Sequence, residues 1–146
     1  MWLGYVFFVI YGSLVPLQYK ARPLSDAWIA FQNIPFLKLG VESRADWIAN
    51  GVLYVPVAFL TIYLLTQSFR RVPRIFLFAL AAVFSMALAV AVEFTQLFFS
   101  VRTVSLNDIL AECVGSFVGL LLSAGYANWF RALLKSFSHD SQRLKV

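Results

Sequence analysis

Residues 75–99 read IFLFALAAVFSMALAVAVEFTQLFF, and Glu93 is the single charged side chain in this run. About 20 consecutive apolar residues in a helix match the roughly 30 Å thickness of the hydrocarbon core of a bilayer. The run therefore predicts a transmembrane helix.

Three further apolar runs flank this one, at about residues 1–17, 47–67 and 106–124, and the last could continue through Trp129. The chain is 61% hydrophobic and 13% charged, whereas soluble domains are about 45–50% apolar and 25% charged. We predict an all-α membrane protein, a bundle of four transmembrane helices in a single domain covering residues 1–146. The first run could be a signal peptide, but it has no basic start and no small-residue cleavage site follows it, which favours an uncleaved helix.

The positions of basic residues predict the orientation of the bundle. Arg70, Arg71 and Arg74 lie in the second connection, and the tail from about residue 130 to 146 carries an excess of Lys and Arg. Because basic loops stay on the cytoplasmic side, both termini are expected in the cytoplasm. The connections at residues 18–46 and 100–105 are then expected to face outward.

The first outward segment, residues 18–46, is too apolar for a simple tether. It contains Trp28, Ile29 and Phe36, with breaks expected near Pro35 and Gly40. A short interfacial helix, a re-entrant turn and a loop resting on the bundle all fit this composition.

The polar residues of the spans share a pattern. Glu93 and Gln96 lie three residues apart on one face of the third span, and a charge at the centre of a span costs about 2.5 to 3.5 kcal/mol unless it is paired or faces water. Two more pairs have i, i+4 spacing at the outer starts of the second and fourth spans: Asp46 with Asn50, and Asp108 with Glu112. Asp46 and Asp108 could instead be helix caps.

Together with Arg102, these side chains come from three helices and are all expected at the outer side. A guanidinium can hold a phosphate, sulfate or carboxylate through paired hydrogen bonds, or it can bridge carboxylates. The cluster therefore predicts either a ligand site or an internal salt-bridge network. Its members are Asp46, Asn50, Glu93, Gln96, Arg102, Asp108 and Glu112.

Gly115 and Gly119 form a G-x-x-x-G ridge on the fourth span, which predicts close helix packing within the bundle and leaves homo-oligomerisation open. Cys113 and His139 are single residues of their types, so neither a disulfide nor a metal site is predicted. No cofactor motif is present, and the placement of basic residues does not indicate nucleic-acid binding.

The chain resembles the VanZ-like family of small bacterial membrane proteins from about Asn33 to Gly119. The resemblance is carried by an ordered series of motifs: Asn33-Ile34-Pro35-Phe36, Asp46-x-x-x-Asn50 leading to Pro56 and Phe59, Glu93-x-x-Gln96, Arg102, Asp108, Gly115 and Gly119. Departures from the family pattern are Ala58, Ser105, Asn107 and Glu112. The resemblance implies the bacterial inner membrane and a role in the cell envelope, with a relation to glycopeptide (teicoplanin) resistance through the family's namesake.

Three hypotheses follow. In the first, the outer cluster binds the anionic or polyol headgroup of an envelope lipid or precursor, with Arg102 taking the anion. In the second, the protein is an enzyme in which Glu93 or Asp108 acts as general base on an envelope lipid. In the third, the cluster only stabilises a structural membrane protein that has no ligand.

Overall fold

The computed structural model describes residues 1–36 and 41–143, with side chains for residues 1–36 and 44–126. The described part contains five helices and no strand apart from an isolated bridge between Tyr19 and Phe99. The helices are α1 (Trp2–Leu14), α2 (Leu24–Gln32), α3 (Val41–Ser68), α4 (Arg74–Gln96) and α5 (Leu106–Arg143). The predicted all-α class is confirmed.

Within the described residues, three helices are long and apolar enough to cross a membrane, at Arg44–Ser68, Arg74–Gln96 and Leu106–Tyr126. At 1.5 Å per residue, the 23 residues of α4 extend about 35 Å. The 13 residues of α1 extend only about 20 Å, short of a full crossing. Three spans are therefore supported, and four complete spans are not confirmed.

Helix α1 nevertheless packs against α3 and α4. The Trp2 indole N–H donates a 2.8 Å hydrogen bond to the Thr61 hydroxyl of α3, and the Tyr5 hydroxyl donates to the Leu53 carbonyl. Val9 is buried in a core cluster with Tyr54 of α3. The predicted first apolar helix is present, but it ends at Leu14 and not near residue 17.

The other three helices differ in extent from the predicted apolar runs by part of a turn or more. Helix α3 begins at Val41, six residues before the predicted start, and α4 ends at Gln96 and not at Phe99. Helix α5 continues without a break from Leu106 to Arg143, so residues 130–143 of the predicted tail are helical.

Helices α3 and α5 make the closest contact in the bundle. A Cβ atom at Gly115 would overlap the Gly51 carbonyl oxygen, and one at Gly119 would overlap the Val55 carbonyl oxygen. The glycine ridge thus allows the two backbones to touch, as small residues do between membrane helices. In this chain the ridge faces α3.

The outward segment contains the short helix α2, which ends before Pro35; the break expected at Gly40 lies outside the described residues. Large apolar side chains of the segment, including Trp28, Ile29 and Phe36, are exposed. The segment is tied to the connection between α4 and α5 by backbone hydrogen bonds, from Lys20 N–H to the Phe98 carbonyl at 2.8 Å and from Leu106 N–H to the Pro35 carbonyl at 3.1 Å.

Candidate functional site

A cavity of about 430 Å³ opens at the end of the bundle where α1 and α4 end and α3 and α5 begin. The antiparallel order of the helices brings these four ends together, although they are far apart in the chain. Five of the seven residues predicted for the site line the cavity: Asp46, Asn50, Gln96, Arg102 and Asp108.

Asp108 connects α3 to α5. Its Oδ1 accepts a 2.9 Å hydrogen bond from the Asn50 side-chain amide, and its Oδ2 accepts one from the Ser105 hydroxyl. The Ser105 hydroxyl in turn accepts the Asp108 backbone N–H at 3.3 Å, directly before the first turn of α5. A serine followed three residues later by an acidic residue is a helix-start pattern, so Asp108 takes part in a cap while it also holds Asn50.

Asp46 does not cap its helix. Because α3 begins at Val41, Asp46 lies beyond the first turn, where the backbone N–H groups already have intrahelical partners. Its side chain is exposed at the rim of the cavity. The cap interpretation is therefore wrong for Asp46.

Arg102 lies in the wall of the cavity, in the connection between α4 and α5. Its Nη2 donates a 2.8 Å hydrogen bond to the Gly12 carbonyl, one of the last four carbonyls of α1. A cation is favourable there because the carbonyls at a helix C-terminus carry partial negative charge. Among the described residues, the buried Arg102 Nε has no hydrogen-bond partner.

Two carboxyl groups lie beneath the cavity and do not line it. Glu93 of α4 is 1% exposed and Glu112 of α5 is 2% exposed. The Ser105 backbone hydrogen-bonds to the Glu93 carboxyl group, and Asp108 and Arg102 are charged neighbours of Glu93. Glu112 interacts electrostatically with both Glu93 and Asp108.

Several polar atoms of this buried layer have no hydrogen-bond partner in the part of the chain that the structure describes. They include Oε2 of Glu93, Oε2 of Glu112 and the hydroxyl of Tyr54. Buried polar atoms usually have partners, and ionisable groups inside a membrane bundle usually mark functional pathways or sites. This layer therefore belongs to the candidate site although it is closed from the cavity.

Sequence reasoning did not assign site roles to several cavity residues: Gly12, Ser13, Thr103, Ser105 and Asn107. Ser13 had a signal, since its hydroxyl interrupts the first apolar run. Ser105 had another, because it precedes Asp108 by three positions. The role of Gly12 has no side-chain signature at all, since its backbone carbonyl is what holds Arg102.

One wall of the cavity carries carboxylate and amide groups. Another carries the Arg102 guanidinium, whose Nε has no hydrogen-bond partner among the described residues. Carboxylates and amides such as Asp46, Asn50 and Gln96 suit hydroxyl groups of a polyol or sugar. A guanidinium with a free N–H suits an anion. The arrangement fits a small ligand that carries both kinds of group.

A family model described as VanZ/LLP1 matches residues 2–130 of the chain. The match includes every candidate site residue and also covers α1, which lies outside the motifs between Asn33 and Gly119. No curated protein and no solved structure matches the chain significantly.

Proposed function

The chain belongs to the VanZ/LLP1 family, and from this premise and the polar cavity we propose that it binds the headgroup of an anionic envelope lipid or lipid precursor. The protein would do so from the outer leaflet of the bacterial cytoplasmic membrane, with both termini in the cytoplasm. The proposal assigns the anion to Arg102 and the hydroxyl groups to the opposite wall of the cavity.

The free Nε of Arg102 is the observation that carries this proposal. The guanidinium is fixed by its bond to the Gly12 carbonyl at 2.8 Å, while Nε is buried and unpartnered among the described residues. An unsatisfied donor next to a cavity costs about 1 to 3 kcal/mol, more for a charged group. Because Nε itself has almost no accessible surface, a rotation of the Arg102 side chain would present it to an anionic ligand in the cavity, and that ligand would satisfy it.

The opposite wall supports the polyol part of the ligand. Asp108 already holds Asn50 and Ser105, so its carboxylate is positioned firmly and the Asn50 amide is oriented toward α5. Asp46 and Gln96 also line the cavity. These groups would recognise hydroxyls, which a purely cationic site would not do.

The position of the cavity suits a lipid headgroup. It lies at one end of the three long apolar helices, where the headgroup region of a bilayer would be. The exposed apolar side chains of α2, among them Trp28 and Ile29, lie at the same end and would rest in the interface. A lipid could therefore enter from the side without leaving the membrane.

The enzyme hypothesis receives less support from this geometry. Both carboxylate oxygens of Asp108 are engaged by Asn50 and Ser105, and Glu93 is closed off beneath the cavity. A general base must reach the proton that it removes, within about 2.6 to 3.2 Å or through one water. The geometry supports a positioning role instead: Asp108 holds Asn50 and Ser105, and Glu93 would act on a bound headgroup only through its neighbour Arg102.

The test is the lipid content of the purified protein. Protein extracted from bacterial membranes should retain anionic lipid in excess over zwitterionic lipid, as measured by mass spectrometry of bound lipids. Arg102→Ala should lower the retained anionic lipid about tenfold, because a charge-assisted hydrogen bond contributes about 1.5 to 3 kcal/mol and 1.4 kcal/mol is tenfold in Kd. Glu93→Gln should lower it to a lesser extent.

Arg71→Ala is the matched control, since Arg71 is exposed beyond the other end of α3 and its loss changes the net charge equally. If Arg102→Ala and Glu93→Gln leave both the retained lipid and teicoplanin susceptibility unchanged, the proposal is wrong. Loss of protein abundance without loss of lipid per molecule would indicate the structural role. Turnover of a labelled envelope lipid by the purified protein would indicate the enzyme.

A further inference from the structure

A second cavity of about 300 Å³ lies on the other side of Arg102, between the outward segment and the connection from α4 to α5. Three basic residues line it, Lys20, Arg22 and Arg102, together with the polar residues Asn33 and Ser100. None of the described residues that line this cavity is acidic. Arg102 is shared with the first cavity, so the two cavities adjoin at its guanidinium.

Backbone pairing holds the basic residues in place. Lys20 N–H donates to the Phe98 carbonyl at 2.8 Å, and Ser100 N–H donates to the Gln18 carbonyl at 3.0 Å. The pairing aligns the chain before α2 with the chain after α4. The Asn33 side-chain amide donates to the Ile29 carbonyl at 2.7 Å and fixes the end of α2 beside the cavity.

Three positive charges around one small cavity repel each other. Repulsion between like charges falls with distance, and it is stronger at the effective dielectric constant of a protein surface than in water. Glu93 is a charged neighbour of Arg102 beneath the first cavity, but no acidic residue lines the second cavity beside Lys20 and Arg22. A bound anion would relieve the repulsion, and a compact anion with several acceptor oxygens would do so best.

We propose that this cavity is a phosphate subsite, defined by Lys20, Arg22 and Arg102, that takes a phosphate monoester or diester group. The inference rests on the proposed function and specifies its ligand. The phosphate lies among the three cations, and the hydroxyl-bearing part of the same headgroup reaches past Arg102 to Asn50 and Asp108. Arg102 is the residue that both parts contact.

The experiment compares phosphate with another anion on an otherwise identical molecule. The purified protein, held in an uncharged polyoxyethylene detergent that contains no phosphate or sugar, is titrated by calorimetry with dihexanoyl phosphatidic acid and with dihexanoylglycerol succinate. A third titration uses inorganic phosphate. We expect tighter binding of the phosphatidic acid than of the succinate ester.

The informative variant is the double exchange Lys20→Gln with Arg22→Gln. It should weaken phosphatidic acid binding about tenfold or more, since each exchange removes one charge-assisted contact. The matched control is Arg70→Gln with Arg71→Gln. It removes the same charge at exposed positions near the end of α4 that is farther from the cavity, and it should leave binding unchanged. Size-exclusion profiles and melting temperatures establish that both variants are folded.

The titrations also distinguish free phosphate from lipid phosphate as the ligand. Binding of inorganic phosphate as tight as that of phosphatidic acid, and lost in the same double variant, supports the subsite with free phosphate as ligand. Binding of phosphatidic acid alone supports the subsite with a lipid phosphate. Affinities within about twofold of wild type in the double variant, or equal binding of the succinate ester, would overturn the subsite.

The result is independent of the test of the proposed function. If Arg102→Ala releases the co-purified anionic lipid while the Lys20 and Arg22 exchange changes nothing, the phosphate subsite is wrong and the proposed function stands. If the exchange abolishes phosphate binding while Arg102→Ala keeps the co-purified lipid, the proposed function fails and a phosphate site remains.

Discussion

The Asn50 side-chain amide donates a 2.9 Å hydrogen bond to Oδ1 of Asp108 and thereby joins α3 to the first turn of α5. Asp108 completes the connection through Ser105, whose hydroxyl donates to Oδ2. The bond lies nearer to the cavity than the glycine contact between the same two helices, where Gly51 meets Gly115. The polar site and the closest helix contact thus support each other.

The energetic coupling of Asn50 with Asp108 can be measured. We expect Asn50→Ala and Asp108→Ala each to lower the free energy of unfolding, and the double variant to lose less than the sum, with a coupling of about 0.6 to 1.7 kcal/mol as for hydrogen bonds between membrane helices. Reversible unfolding in mixed micelles of sodium dodecyl sulfate and a mild detergent gives these values. Strict additivity would contradict the hydrogen bond.

Gly115 and Gly125 of α5 should respond differently to substitution by alanine. Gly115→Ala places a methyl group against the Gly51 carbonyl and should cost about 1 to 3 kcal/mol, the usual cost of overpacking. Gly125→Ala meets nothing within 4 Å and should be neutral or stabilise by up to about 1 kcal/mol. The melting temperatures of the two variants in detergent provide the comparison, and equal losses would exclude the close α3–α5 contact.

Much of the fold could be predicted from residue type and spacing. The apolar runs indicate helices α3, α4 and α5, and their antiparallel order indicates that Asn50, Gln96 and Asp108 meet at one end. The spacing does not show how deeply each side chain is buried beneath the cavity. Glu112 is one helical turn, about 6 Å, below Asp108, and this turn separates a buried carboxyl from one at the cavity wall.

The contribution of α1 could not be predicted because it depends on tertiary contacts. The run looked long enough to cross, but the helix ends at Leu14, where the chain turns toward its pairing with residues 98–100. The Gly12 carbonyl then meets Arg102. A backbone carbonyl that accepts a hydrogen bond from a distant side chain cannot be recognised from residue types.

The orientation of the site is open to direct labelling. In a Cys113→Ser background, Ser100→Cys places a thiol at the cavity end of the bundle and Ser68→Cys places one at the opposite end; both positions are exposed. A membrane-impermeant maleimide should label Ser100→Cys in intact spheroplasts and Ser68→Cys only after permeabilisation. This labelling pattern is expected because Arg70, Arg71 and Arg74 lie at the same end of the bundle as Ser68, and basic connections stay on the cytoplasmic side.

A control reaction in detergent must label both thiols equally, so that a negative result in spheroplasts reports location and not reactivity. The reverse pattern of labelling would place the cavity at the cytoplasmic leaflet. The outer-leaflet part of the proposed function would then be wrong, although ligand binding itself would remain testable.

Substitutions of Glu112 test what its buried carboxyl group contributes to the stability of the fold. Glu112 is 2% exposed, its Oε2 has no partner among the described residues, and its carboxyl group interacts with Glu93 and Asp108. Glu112→Gln keeps the shape and cannot carry a negative charge beside the two neighbouring carboxyl groups, so the free energy of unfolding should stay the same or rise. Glu112→Ala should lower it by about 2 kcal/mol or more because a cavity remains.

Asp26→Asn, at an exposed carboxyl group on α2, is the control and should have no effect. If Glu112→Gln lowered stability as much as Glu112→Ala, the negative charge itself would be needed in the folded protein, and a bound cation or proton donor would have to be sought beneath the cavity.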